Sequence, residues 1–548
     1  MKRTEEQHDT YIIPPNFIEG GTFFGGMFKI RNVIEAGILA VLVGVPVLSI
    51  GISLTARIII LCFTALPLAL FALIGISGEP LSSYVYAFFK WLKNRRIVGK
   101  VEPKKLPKKK EPKTPKTEKT AENESMLSEI VGVIRKRSAS KEKADKVKAE
   151  KPKKEKAHHR HTAESPFLNP AAEYLPIEKI ENGIIYTKDH RYIKVIEVIP
   201  INFMLRSARE QRSIIYSFIS YLKISPVKIQ FKVLTKRADL NKHMDIVRRE
   251  MEAEQDPNCR MLQEDYLKLI GRIGSREATT RRFFIAFEYE QVGRRGANEE
   301  ADAVSSLQIA ARTAANYLKQ CGNEVLTPEN EDEFTVEVLY NILCRQASSD
   351  IPLPRRVQEI VSKYVVAGKN TGAIPCTEFF APEKLDFTHG KYICIDGLYH
   401  SYLLIPSVGY KSRVSAGWLS LLVNAGDGID IDLFLTKQPK ERMVQKLGQQ
   451  LRINRSKIKE ASDTNSDFDD LDGAIRSGYF LKDGLANNED FYYMNILITV
   501  TADTPEDLEW REREMRKLLV SQDLNVATCS FREEQAFLVC APWARSNG

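Results

Sequence analysis

The chain has 548 residues, of which 43% are hydrophobic and 28% charged, enough apolar material for the cores of three or four domains. Its net charge of +9 is uneven: residues 100–161 hold 21 Lys/Arg against 10 Asp/Glu and residues 1–99 hold 9 against 6, which leaves 162–548 at about −5. The folded bulk therefore lacks the basic surplus of a nucleic-acid-binding domain; eight cysteines, at 62, 259, 321, 344, 376, 394, 529 and 540, none at C-x-x-C spacing, argue against a disulfide framework or a zinc site and read as reduced, mostly buried thiols in a cytosolic compartment.

Two uncharged runs come first, Ala36 to Ala56 and Ile58 to Gly78, separated by Arg57. Each is about the 20 residues that an apolar helix needs to cross a hydrocarbon core. We expect transmembrane segments at about 33–50 and 58–77, ending near Leu48 and restarting near Arg57, which a short link folds into an antiparallel hairpin. The first run starts more than 30 residues in and a second follows at once, which excludes a cleaved signal peptide. Lys29 and Arg31 precede the hairpin, Lys90, Lys93, Arg95, Arg96 and Lys100 follow it, and the turn has only Arg57. The positive-inside rule then predicts a multi-pass protein of the cell membrane with both termini cytoplasmic.

Ala36, Ala40 and Gly44 form a small-residue face that fits close helix contact, within the hairpin or with a partner's helix. Pro46 and Pro67 are expected to kink the spans. The aromatic and lysine run Tyr84–Lys93 suits a helix lying in the headgroup layer.

Residues 99–163 are rich in Lys, Glu, Pro and Ala and are expected to be a disordered basic linker, since they cannot bury enough surface to offset ordering entropy. The apolar island Met126–Ile134 fits a short helix or a docking peptide. The linker's charge fits association with anionic lipid, contact with nucleic acid, or a solvated tether. His158, His159 and His161 have no fixed geometry to hold a metal.

The remainder reads as an internal duplication, with a first half at 164–330, a helical connector at 331–381 and a second half at 382–548. Each half opens with a strand hairpin (Gly183–Val198 and Lys391–Ile405). A helix follows (Glu210–Leu222 and Gly417–Asn424), then an alternating strand (Val227–Lys236 and Ile429–Lys437). Leu-Thr-Lys recurs 201 residues apart within those strands. Long charged helices lead to a further strand (Arg282–Tyr289 and Phe491–Val500) and a final helix (Glu299–Gln320 and Pro505–Ser521). The order β-β-α-β-α-β-α predicts two α+β halves, each with its helices on one sheet face.

Sequence signals for chemistry are missing. Gly99-Lys100, Gly368-Lys369 and Gly390-Lys391 have no Ser or Thr next and no Gly five residues before, so there is no phosphate loop. H-E-x-x-H, G-x-S-x-G and the dinucleotide fingerprint do not occur. The acidic run Asp463–Asp470 lacks the glycine and final glutamate of a calcium loop and reads as a solvated loop. No catalytic, cofactor-binding or metal-ligating residue is expected, and no cofactor.

Tyr11-Ile12-Ile13-Pro14-Pro15, the helix hairpin and Phe89–Arg96 resemble the PrgI family of small two-helix membrane proteins of conjugation systems. Tyr174–Ile177, Val414–Leu419 and Phe531–Pro542 resemble the TraC-like N-terminal region of conjugative type IV secretion ATPases. In that family a motor domain follows this region, whereas this sequence stops at Gly548, so no catalytic residue is carried over. The resemblance implies a structural or docking subunit of a DNA-transfer apparatus. Its partners would be a separate motor ATPase, membrane channel subunits, anionic lipids and further copies of itself. A secretion ATPase truncated before its motor, and a membrane-tethered nucleic-acid binder acting through the linker, are the alternatives.

Overall fold

The computed structural model describes residues 10–12, 22–23, 28–99 and 166–543, except for 50, 52, 77–79, 227, 238–240, 275–278, 290–298, 407–408, 411–412, 416 and 461–465. The linker expected over 99–163 lies outside the described residues beyond Gly99, with its Met126–Ile134 island and its histidines, as do Asp463–Asn465 of the acidic run. The described residues form one compact unit.

The N-terminal part runs β1 (Thr10–Ile12), β2 (Thr22–Phe23), β3 (Phe28–Lys29), α1 (Ile30–Ser49), α2 (Leu54–Phe63), α3 (Ala65–Ile74), α4 (Leu81–Asn94) and β4 (Ile97–Gly99). Two helical segments, Ile30–Ser49 and Leu54–Ile74, are long and apolar enough to cross a membrane. Unlike core helices they turn most apolar side chains outward: Ile38, Val41, Leu42, Phe63, Leu66 and Phe71 are each more than half exposed. Asn32, Ala36 and Val47 form the buried stripe of α1. A Cβ on Gly44 would sit 4.0 Å from Leu61 Cδ2, so the small-residue face packs on the second segment of the same hairpin.

Both segments begin earlier than expected, the second because Ser53 caps α2 by accepting the Ala56 N–H. Pro46 sits inside a continuous α1, whereas the second segment breaks at Thr64, between α2 and α3. Pro67 lacks an N–H and its ring crowds the Phe63 carbonyl four residues back, which accounts for the break.

The body continues with α5 (Pro170–Tyr174), β5 (Ile177–Glu181), β6 (Ile184–Thr187), β7 (Tyr192–Ile199), a 3₁₀ turn (Phe203–Leu205), α6 (Ala208–Ile224), β8 (Lys228–Arg237), α7 (Asn241–Ala253), α8 (Pro257–Gly274), β9 (Thr279–Glu288), α9 (Glu299–Gln320) and β10 (Glu324–Val325). The connector holds α10 (Glu331–Leu343), α11 (Ala347–Asp350), α12 (Leu353–Val366) and α13 (Thr377–Phe380). Then come β11 (Lys384–Asp386), β12 (Ile393–Ile395), β13 (Leu398–Ile405), β14 (Arg413–Ser415), α14 (Ser420–Val423), β15 (Ile429–Gln438), α15 (Lys440–Glu460), α16 (Ser466–Ala486), β16 (Phe491–Ala502), α17 (Pro505–Ser521), β17 (Ala527–Thr528) and α18 (Glu533–Cys540). The helix expected at Gly417–Asn424 is reduced to a single turn, α14.

Both halves belong to one 13-stranded antiparallel sheet, ordered β4-β11-β12-β13-β16-β15-β8-β9-β7-β6-β5, with β17 on β13 and β10 on β7. Outward from the central β8–β15 pair, each half runs through its strands in the same order. The Leu-Thr-Lys match does not follow this arrangement. Leu234 lies in one core cluster, and Phe434 packs against that same cluster, so the adjacent Leu435 points to the opposite face. A one-residue offset in a strand inverts its faces.

Helices cover both faces of the sheet, not one. On the first face Ile193, Val195, Phe284, Ala286, Tyr402 and Leu497 pack with Val338, Leu339, Tyr340 and Leu343 of α10 and with Phe537 of α18. On the second, Ile285 and Phe287 pack with Leu307 and Leu318 of α9, and Ile496 and Ile498 with Leu508 and Leu519 of α17. The connector is thus core of the first face rather than a simple link. The long α7–α8 and α15–α16 hairpins occupy the same position in each half, between the two strands nearest the centre.

A candidate docking site between the apolar hairpin and the sheet

Helix α4 starts after Pro80 and repeats aromatic residues at Tyr84, Phe88 and Trp91, a spacing that stacks side chains along one face. All three converge on Phe531, with ring centroids 5.6, 5.1 and 5.2 Å from it. Tyr86, Phe89 and Leu92 lie exposed on the rest of the helix. The aromatic run expected in the headgroup layer is therefore divided, and its Tyr84/Phe88/Trp91 face packs on protein.

Phe531 adopts a left-handed backbone, φ 62°, uncommon for a residue with a side chain. Its N–H donates to Glu533 Oε1 at 2.9 Å and to the Gly390 carbonyl at 3.0 Å. The ring lies so close over Gly390 that a Cβ there would stand 2.5 Å from it. Trp91 Nε1 donates to the His389 carbonyl at 3.1 Å, and Arg532 Nη2 to Ser83 Oγ at 2.9 Å.

Below this box Arg96 pairs with Glu534 at 2.8 Å, the Tyr174 hydroxyl donates to the same Glu534 oxygen, and the Arg96 guanidinium lies 5.3 Å from the Tyr174 ring centroid. Burial, then the Glu534 carboxylate, push the Tyr174 phenol far above its ordinary range. Strand β4 then adds to the edge of the large sheet, with Ile97, Val98 and Gly99 opposite Asp386, Leu385 and Lys384. A Cβ on Gly99, at φ 131°, would run into the Glu383 carbonyl, so glycine is needed for this approach. A second attachment is β1, which pairs with β14 through Thr10↔Ser415 and Ile12↔Arg413.

Glu533 opens α18 at 2% exposure, and its Oε2 has no hydrogen-bond partner among the described residues. Burial pushes its carboxyl up to about 7. At the other end of α18 lies the β8–β15 seam. Lys232 Nζ meets Asp432 at 2.9 and 3.1 Å and donates to the Cys540 carbonyl at 3.0 Å, a cation on a helix C-terminus. Gln230 donates to Asp432 at 2.8 Å. Burial raises Asp432 to about 6 against the opposing pull of Lys232; burial pulls the Lys232 ammonium down, but Asp432 outweighs it and leaves it raised. Asp430 accepts from the Thr235 N–H at 2.9 Å and pairs with Arg345 at 2.7 Å, which ties the connector to the seam.

These arrangements hold surfaces together. Among the described residues no group of three or more His, Cys, Asp or Glu side chains is placed to hold a metal ion. Gly368, at φ 66°, follows the C-terminus of α12 and not the N-terminus of a helix where phosphate would bind. The eight cysteines are free, with Cys321, Cys344 and Cys540 buried and Cys62 and Cys259 exposed.

No model of a known protein family matches the chain, and no curated protein matches it. Segments far apart in the chain meet in space here. Trp91 and Arg96 touch Phe531 and Glu534, Tyr174 joins them, and Tyr11 pairs with Val414. The sequence marked these segments separately. The Gly390 platform and Glu533's place beneath Phe531 carried no local signal.

Proposed function

We propose that this chain is a membrane-anchored docking subunit of a conjugative type IV secretion apparatus, assembling with a separate motor ATPase and with membrane channel subunits. The observation that carries this reading is the joint of α4 and β4 with Phe531, Gly390 and the edge of β11, which makes the apolar hairpin part of the same unit as the sheet. A force or rearrangement in the body would pass to the hairpin through this contact. The resemblance of the two parts to PrgI and TraC-like proteins supplies the apparatus.

In this reading α1 and α2–α3 are the two spans and both chain ends face the cytoplasm. The lipid-like exposure of the hairpin and the basic residues flanking it support that placement. Lys90, Lys93 and the basic linker meet anionic headgroups. The body arose by duplication, supported by the equal strand order on either side of β8–β15 and by the matching helical hairpins. It offers surfaces for self-association and for the motor, and does not hydrolyse ATP by itself.

The test is a pull-down of tagged full-length protein from detergent-solubilised native membranes, with co-purifying chains identified by mass spectrometry. A P-loop ATPase recovered together with membrane channel subunits is expected. Recovery of the protein alone from membranes where a transfer apparatus is assembled overturns the assignment, and ATP hydrolysis by the purified chain well above a blank overturns the docking-only role.

A further inference from the structure

The 3₁₀ turn and first turns of α6 carry an unusual combination of side chains. Met204 and Leu205, at 60% and 82% exposure, form an apolar tip. Arg206, Arg209 and Arg212 follow at three-residue spacing, all exposed. Tyr216, at 69% exposure, and Ile219 continue the stripe along the helix. The one acid among these turns, Glu210, is engaged in the Ser207 capping box. Beside the stripe an open groove of about 760 Å³ is lined by Arg209, Arg212, Ser213, Ser217, Ser220 and Tyr317, donors suited to a phosphate.

We propose that this turn and α6 form a second membrane contact, in which Met204 and Leu205 insert among the acyl chains and the three arginines bind anionic phospholipid headgroups. The inference rests on the reading of α1 and α2–α3 as membrane spans. Three observations point to a bilayer as occupant. Apolar tip and basic face together match the two layers of a lipid surface, where an amphipathic element buries its apolar side by ~5–10 Å and its cations meet headgroups. The tip is also continuous with the anchor: a Cβ on Gly417, just beyond β14, would lie 3.4 Å from Met204 Sδ, and β14 pairs with β1, the strand that precedes the first apolar helix. Finally, the hairpin is docked on the body through α4 and β4, within one compact unit, which would hold the body at the bilayer.

The experiment uses the full-length chain in nanodiscs that contain nitroxide-labelled lipid, with an environment-sensitive fluorophore at one cysteine. One sample carries it on Leu205→Cys with Cys62→Ser and Cys259→Ser; a second carries it on native Cys62, in α2, with Cys259→Ser. In discs with about 30 mol % phosphatidylglycerol, quenching of at least about two-fold is expected at both sites. At 205, but not at 62, it should fall away in neutral discs and when Arg206, Arg209 and Arg212 are changed to Gln; all three are exposed, and an unchanged circular dichroism spectrum checks the fold. Quenching at 62 without quenching at 205 overturns this inference and leaves the spans intact. No quenching at 62 overturns the span reading and the inference with it. A fluorophore at 205 that responds to a short single-stranded oligonucleotide but not to anionic discs also overturns it and reassigns the groove to nucleic acid.

Discussion

Helix α18 links two junctions of different construction. At its N-terminal end the joint with the hairpin is an aromatic box around Phe531, flanked by the half-exposed Arg96–Glu534 pair and closed by a three-residue strand. At its C-terminal end the seam between the two halves is a long antiparallel strand pair with a fully buried Lys232–Asp432 ion pair sealed by the Cys540 carbonyl. Apolar packing with peripheral polar bonds can separate and re-form, because each surface remains tolerable in water. A buried ion pair cannot, because separating it strands an unpaired charge in a low-dielectric interior. The seam is therefore expected to hold as long as the sheet does, and the joint to open first.

The largest expected effect is at the seam. Asp432→Leu should destabilise the protein by ~3–5 kcal/mol by leaving Lys232 buried and uncompensated, read as a large drop in thermal midpoint. Adding Lys232→Met should recover most of the loss, since an apolar pair of similar volume needs no partner. If the double variant is no better than the single one, the ion pair is not what distinguishes the seam.

Next is Phe531→Ala, which empties the aromatic box at a cost of ~3 kcal/mol. Hydrogen exchange should accelerate over residues 81–99, with β8 and β15 unchanged. Equal acceleration in both regions would mean that joint and sheet are one cooperative unit.

A comparable effect comes from pH. Glu533 is held near 7, above its ordinary 4.5, because its protonated form suits the buried site. The folded state thus binds this proton more tightly, so the stabilisation is complete below about 4.5 and is lost as pH rises towards 7, by on the order of 3 kcal/mol. Protection of residues 81–99 should fall between about pH 4.5 and 7 in the native protein and stay flat in Glu533→Gln. The smallest effect is expected for Arg96→Ala, under ~1 kcal/mol because the pair is partly solvated; raising the salt concentration in the native protein should reproduce part of it.

The sequence by itself determined the local elements, because their signals lie within a few residues. The uncharged runs read directly as two apolar helices, and Glu299–Gln320 and Pro505–Ser521 end in the structure where the pattern placed them. Strand alternation located β8, β9, β15 and β16 to within a few residues. It also revealed a repeated order of elements, while its most visible marker, Leu-Thr-Lys, proved out of step by face.

Only the tertiary structure decided that the halves share one sheet, that the connector is core, and that Trp91 meets Phe531 across more than 400 residues of chain. The reason is physical. Helix and strand periodicity follow from backbone geometry within a few residues. Which apolar or charged face pairs with which is settled by burial against distant partners, and many sequences with the same local pattern could settle it differently. Lys232 and Asp432 look like ordinary polar positions on alternating strands until β8 and β15 lie side by side and α18 closes over them.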